Sequence, residues 1–111
     1  SAFDRINVRR MFLYLEKAVR KTIKYYVFEP NTFSTRQNIL AVLTPIFQRV
    51  KSTQGCYDFL IVCDERNNPP VVIDGNELVV DIYIKPVRAA EFILVNFYAT
   101  RTDQNFGELI G

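Results

Sequence analysis

Histidine is absent from the 111 residues of this chain. That absence removes the commonest general base and the commonest metal ligand, so Ser-His and Cys-His catalysis and His-ligated zinc are excluded. Cysteine is scarce. Its two residues, Cys56 and Cys63, flank an extended run at odd spacing, which predicts opposite faces of a strand and no disulfide between them. Both read as buried thiols of a reducing compartment. Only four glycines are present and no glycine-rich loop, so no phosphate cradle is expected. No apolar run reaches the ~18 to 20 residues that span a bilayer, and Ser1-Ala2-Phe3-Asp4-Arg5 lacks the regions of a signal peptide, so no membrane partner is expected. A net charge of +2 is too small to imply a nucleic-acid partner by itself.

What is present is an ordinary globular balance, 49% hydrophobic and 23% charged, at a length that fits one domain over 1–111. Asn7 is placed to cap a helix from Val8 to about Phe28, free of glycine and proline. At about 100° per residue, Val8, Met11, Phe12, Leu15, Ala18, Val19, Ile23 and Tyr26 share one stripe, with Arg10, Lys17, Lys21 and Lys24 opposite. Glu29-Pro30 breaks this helix. Ser34 opens a second one, with Gln37 completing a capping-box pattern and Ile39, Leu40, Leu43, Ile46, Phe47 and Val50 as its apolar stripe. Pro45 should kink or divide it, and Gln54-Gly55 should end it.

After Gly55 the period becomes extended. Tyr57 to Cys63, Leu78 to Ile84 and Phe92 to Ala99 read as three strands, the first two paired antiparallel. Asp64 to Pro70 reads as a loop, its part Asp64 to Asn68 either solvated or in an intersubunit contact, Asp74-Gly75-Asn76 as a turn, Lys85 to Ala90 as an interruption and Thr100 to Gly111 as a tail. The fold class expected is α+β: two helices packed on a small antiparallel β-sheet, whose open edges could accept strand addition.

The acidic residues Asp58, Asp64, Glu65, Asp74 and Asp81 lack the spacing of a calcium loop, and no metal or other cofactor is expected. An enzyme built on carboxylates alone would need two of them to converge, whereas Asp58 and Asp81 fall on exposed strand positions. Seven Lys/Arg against Asp4 and Glu16 in residues 1–28 make the first helix the most polarised segment. Its basic face is either merely solvated or a docking surface for an acidic protein or a phosphate backbone. With Phe12 and Tyr26 on the core side, stacking on bases has no platform there, which weighs against nucleic acid.

The runs Arg5-Ile6-Asn7-Val8-Arg9-Arg10-Met11-Phe12-Leu13-Tyr14-Leu15-Glu16-Lys17 and Tyr57-Asp58-Phe59-Leu60-Ile61-Val62-Cys63-Asp64 carry more than periodicity. So do Asn67-Asn68, Val72-Ile73-Asp74, Asn76-Glu77, Asp81-Ile82-Tyr83-Ile84-Lys85-Pro86, Phe97-Tyr98-Ala99-Thr100-Arg101-Thr102 and Phe106. In this order they resemble the C-terminal domain of contractile, myophage-type tail sheath proteins. The resemblance implies a structural subunit that polymerises helically around a tail tube and shortens to drive the tube through a host envelope. Sheaths of phage-tail-like bacteriocins and related injection machines share that plan. It also implies a tube-proximal domain, linked to its neighbours by exchanged strands, in a protein several times longer than this chain.

On that resemblance, the partners expected are neighbouring sheath subunits, the tail tube protein, the baseplate and a tail terminator. The location is the virion, and the host cytoplasm during assembly. Lys17, Lys21 and Lys24 on the first helix, with Arg49 and Lys51 at the end of the second, are the candidates for tube contact. Residues 91–111 form a candidate exchangeable C-terminal arm, with Phe92, Ile93, Leu94, Val95, Phe97 and Tyr98 as its intersubunit strand, because a run so apolar must be buried somewhere.

Overall fold

Helix α1, Arg5–Tyr26, begins the computed structural model, which describes residues 5–100. Met11, Leu15, Val19 and Ile23 recur every four residues and are buried, and Val27 continues the row just past the helix end. This spacing keeps one stripe on the core for the helix's whole length. Arg10, Lys17, Lys21 and Lys24 are exposed on the other side. The helix opens two residues ahead of Asn7, so Asn7 sits within its first turn and is not the cap.

Helix α2 spans Phe33–Ser52. Its cap is Thr32 and not Ser34: the Thr32 backbone is extended (φ −116°, ψ 169°) and its hydroxyl accepts the Thr35 N–H at 3.3 Å. Ser34 lies one turn-position too far in, where the backbone is already helical. Pro45 does not divide the helix. The proline ring is exposed, while Ile39, Leu43 and Phe47 are fully buried on the opposite face. Burying side chains of that size is worth about 2 kcal/mol each. Together they outweigh the one hydrogen bond that proline removes. At the C-terminus the Gly55 N–H reaches Val50 O at 2.8 Å and the Gln54 N–H reaches Lys51 O at 3.0 Å. This is a Schellman closure in which Gln54, at φ 62°, takes the left-handed position. Glycine follows it because a Cβ at Gly55 would lie 2.7 Å from Val50 Cγ1.

Three strands form one antiparallel sheet in the order β1-β2-β3: β1 is Asp58–Val62, β2 is Glu77–Lys85 and β3 is Ile93–Thr100. Residue 58 pairs with 85 and residue 62 with 81 on one side of β2; 77 pairs with 100 and 84 with 93 on the other. Leu78, Val80, Ile82 and Ile84 alternate inward, and both helices cover that face, whose core also takes Phe97 and Ala99. The α+β class expected from the sequence is what is found. A short helix, α3, Pro70–Asp74, was not foreseen. Pro70 opens it from the first helical position, where a missing N–H costs nothing.

Cys56 and Cys63 are free and both lie in the core, which corrects the expectation of opposite faces. Strand β1 does not begin until Asp58, so the alternation of the strand does not reach back to Cys56. The last residues of the expected tail, 101–111, and so Arg101, Thr102 and Phe106, lie outside the described residues.

Candidate assembly surfaces

The two helices run antiparallel, and their outer faces enclose a groove of about 750 Å³ lined by Ala18, Thr22, Tyr25, Val42 and Ile46 with Lys21 and Lys24. Small side chains at 18 and 22, one turn apart on α1, lower the floor. The Thr22 hydroxyl donates to Ala18 O at 2.9 Å and so spends its proton within the helix. No acidic residue lines this groove. It therefore combines an apolar floor with a cationic wall, a combination suited to an acidic amphipathic segment.

All five predicted tube-contact residues are exposed, but they do not form one cluster. Lys21 and Lys24 line the groove, whereas Arg49 and Lys51 lie in the last turn of α2 and are not part of it. Lys51 Nζ pairs with Asp58 at 3.3 Å, with both side chains nearly half exposed, a contact worth little in water. Tyr25 and Val42 were missed as surface residues, and Ile46, expected on the core stripe, is only partly buried. The available signal was an aromatic and two aliphatics at or beyond the edge of the core stripes. Phe12 and Tyr26 pack against the core as expected, but Tyr14 and Tyr25, which the sequence reading did not weigh, are exposed on α1 and accompany its cations.

The sheet edges differ from one another. Strand β1 covers only residues 81–85 of β2. Beyond it the Asn68 side chain takes over: Nδ2 donates to Val79 O at 2.9 Å and Oδ1 accepts the Val79 N–H at 2.9 Å. Asn31 Nδ2 donates to Glu77 O at 2.8 Å and to Asn68 Oδ1 at 2.9 Å. One amide thus imitates a neighbouring strand and closes half an edge. Asn68 is buried, so the loop that carries it is structural and not merely solvated. Arg36 is buried beside this cluster; Nη1 donates to Asn31 Oδ1 at 2.7 Å and Nε has no partner.

On strand β1 one outward donor is taken locally: the Asp58 carboxylate accepts the Phe59 N–H at 2.8 Å, while Asn67 Nδ2 donates at 2.8 Å to Val62 O at the strand's end, where the pairing with Asp81 turns that carbonyl towards β2. The hydrogen bond from Phe59, and then Lys51, holds the Asp58 carboxyl below the usual range. On β3, among the described residues, no side chain bonds to a main-chain group. Strand β3 is an open edge along its length.

The intersubunit strand candidates divide by burial: Phe97 is buried and Val95 packs against the core, while Phe92, Leu94 and Tyr98 are exposed, as is Ile93, which has the inward register of Val95 and Phe97 but stands at the strand's start. Asp58 and Asp81 stand at opposite ends of the β1–β2 ladder, four residues apart, which is about 13 Å at the rise of a strand. They do not converge. Asp81 is instead held by Asn67 and Asn96. Among the described residues no group of acidic or cysteine side chains could hold a metal ion, and no helix is long and apolar enough to cross a membrane.

Compared with known families, residues 1–100 match the model described as phage tail sheath C-terminal domain. The chain belongs to that family. It is 49% identical over its whole length to the tail sheath protein of Vibrio phage KVP40, covering 16% of that protein, and 43% identical over its whole length to the tail sheath protein of Enterobacteria phage T4, covering 17%. The tail sheath protein of Salmonella phage ViI is 36% identical over 98% of the chain and 17% of its own length. The chain therefore spans about a sixth of the curated relatives it matches. No solved structure matches it.

Proposed function

We propose that this domain is the tube-proximal assembly module of a contractile tail sheath subunit, with a structural and not a catalytic role. The identity of 36–49% to three phage tail sheath proteins across nearly the whole chain carries this reading. The subunit polymerises helically around a tail tube and shortens to drive it through the host envelope. Its partners are neighbouring sheath subunits, the tail tube protein, the baseplate and the tail terminator. It assembles in the host cytoplasm and ends in the virion.

Two surfaces support the module. The cationic side of the helix pair, with Lys17, Lys21 and Lys24 and separately Arg49 and Lys51, meets the tube, where exposed charges orient and speed association more than they tighten it. Such contacts release readily on contraction. The segment from 91 to about 102 is the exchangeable arm. Its support is that Phe92, Ile93, Leu94 and Tyr98 stay exposed while β3 sits at an open edge. Strand addition there would satisfy main-chain groups while side chains find cover.

The test is made in the full-length protein by electron microscopy. Deleting 91–111, which also takes core residues Phe97 and Ala99, should leave soluble subunits that keep their helical circular dichroism but form no sheaths, and reversing the charge of either cationic cluster should reduce assembly on tubes. Normal sheaths from the deletion variant would refute the arm, and normal assembly from both charge variants would refute the tube contact. Tyr25 beside Lys21 and Lys24 is what a nucleic-acid reading would use; salt-dependent retention on DNA or RNA would favour that reading instead.

A further inference from the structure

We infer that the sheet face turned away from the helices is the seat of the polypeptide that lies N-terminal to Ser1 in a sheath protein of the relatives' length. The alternation that sends Ile82 and Ile84 inward sends Tyr83 and Lys85 outward, with Leu60 on β1 and Leu94 on β3. Register aligns Leu60, Tyr83 and Leu94 in one row across all three strands. Leu60 and Leu94 are each 54% exposed. Beside this row the Lys85 ammonium lies 5.4 Å from the Tyr57 ring centre and 5.7 Å from that of Phe92, and both rings are themselves exposed. The aromatic clamp extends the apolar surface around a single held cation. Farther along the face the surface turns polar, through Asp81 with Asn67 and Asn96.

Two exposed leucines flanking a half-buried tyrosine, with the exposed Tyr57 and Phe92 rings beside them, make an apolar patch on a sheet face that marks a covered surface. Neither long helix covers it, since both pack on the other side. The direction from which the chain arrives identifies the cover. The first turns of α1 (Asn7, Arg10, Met11, Tyr14) share a depression with Val50 and Gly55, and Gly55 leads within two residues to Tyr57 of the clamp. The start of α1 thus lies at the same end of the sheet as the clamp, within reach of the apolar end of this face. The matching family model is a C-terminal domain and the chain covers only 16–17% of the relatives, so most of such a protein precedes it and is at hand to cover the face. The inference rests on family membership and not on tube contact or arm exchange.

The experiment uses full-length, unassembled subunits carrying Leu60→Cys or Leu94→Cys, with Lys17→Cys as an exposed reference. Native Cys56 and Cys63 are buried and contribute little labelling. Maleimide should label either substituted leucine position at least about tenfold more slowly than position 17, the ratio for a cover closed about 90% of the time. Equal rates overturn the inference. Protection that arises only on polymerisation also overturns it, because the cover is then a neighbouring subunit. Hydroxyl-radical footprinting of Leu60, Leu94 and Tyr98 in the unsubstituted protein reads the same surface if a variant misfolds. Since the subunits are unassembled, a defect in sheath formation leaves the readout intact.

Discussion

Replacing Asn68 by alanine tests whether one side-chain amide does the work of a missing strand. The amide satisfies both main-chain groups of Val79 and also donates to Asp64 O at 3.1 Å. It is almost completely buried. Truncation leaves the Val79 N–H and C=O without partners at about 1–3 kcal/mol each, so the expected loss is about 4 kcal/mol. That is a large share of the ~5–15 kcal/mol that holds a domain of this size together. In urea, at a typical slope of about 2 kcal/mol per molar, the midpoint should fall by about 2 M. Asn68→Asp separates the two halves of the amide. It keeps an acceptor for the Val79 N–H but sets a carboxylate against the Val79 carbonyl, so it should be at least as damaging at neutral pH. Burial raises the pKa of the new carboxyl, and the variant should recover stability as the pH falls and it becomes a donor. A loss below about 1 kcal/mol in Asn68→Ala, read by circular dichroism during urea unfolding, would mean that water fills the gap and that the amide is not closing the edge.

Gln54→Gly should stabilise the chain by about 0.4–1 kcal/mol in thermal unfolding, because a non-glycine residue holds φ 62° there. The Cys63 thiol, pushed by burial from 9.0 up to about 12, should resist thiol reagents until the chain unfolds. Because its folded pKa is raised, its contribution is fully present below pH 9 and is lost as pH rises towards about 12, so the urea midpoint should decline across that window. On the acid side, Asp58 is held down by the Phe59 N–H and Lys51, and Asp64 by its hydrogen bond to Arg66. These lowered values give stability that is present above the ordinary carboxylate range and lost as pH falls through them. Asp58→Asn should flatten the acid limb of a midpoint-against-pH curve only slightly, since the group is open to solvent.

The helices and strands were legible because their burial follows single periods: every fourth residue from Met11 to Ile23 on α1, every second from Leu78 to Ile84 on β2. Boundaries were less so. Thr32 and Ser34 are both good caps by residue type, and only the extended backbone at Thr32 decides between them. Helix α3 was hidden because Pro69-Pro70 signals a loop and a helix start equally well. The plugged edge was out of reach, since Asn68 meets Val79 only once the loop has folded back on β2. Likewise the five cations were visible as charges, but their division between a groove and a helix end depends on how the two helices pack.

Every pairing in the sheet joins strands that are consecutive in the chain, and the two long helices are consecutive as well. Such local wiring has a kinetic consequence. Loops close cheaply when contacts are near in sequence, so a domain of this plan collapses quickly, in about milliseconds, and well before a second molecule diffuses to it. Strand β3 therefore reaches its own β2 first and makes eight paired positions there. An incoming chain would meet a competitor already seated, and would win only where a growing assembly keeps it close long enough for that register to open. Polymerisation by exchange would then be slow between free subunits and fast at the end of a sheath.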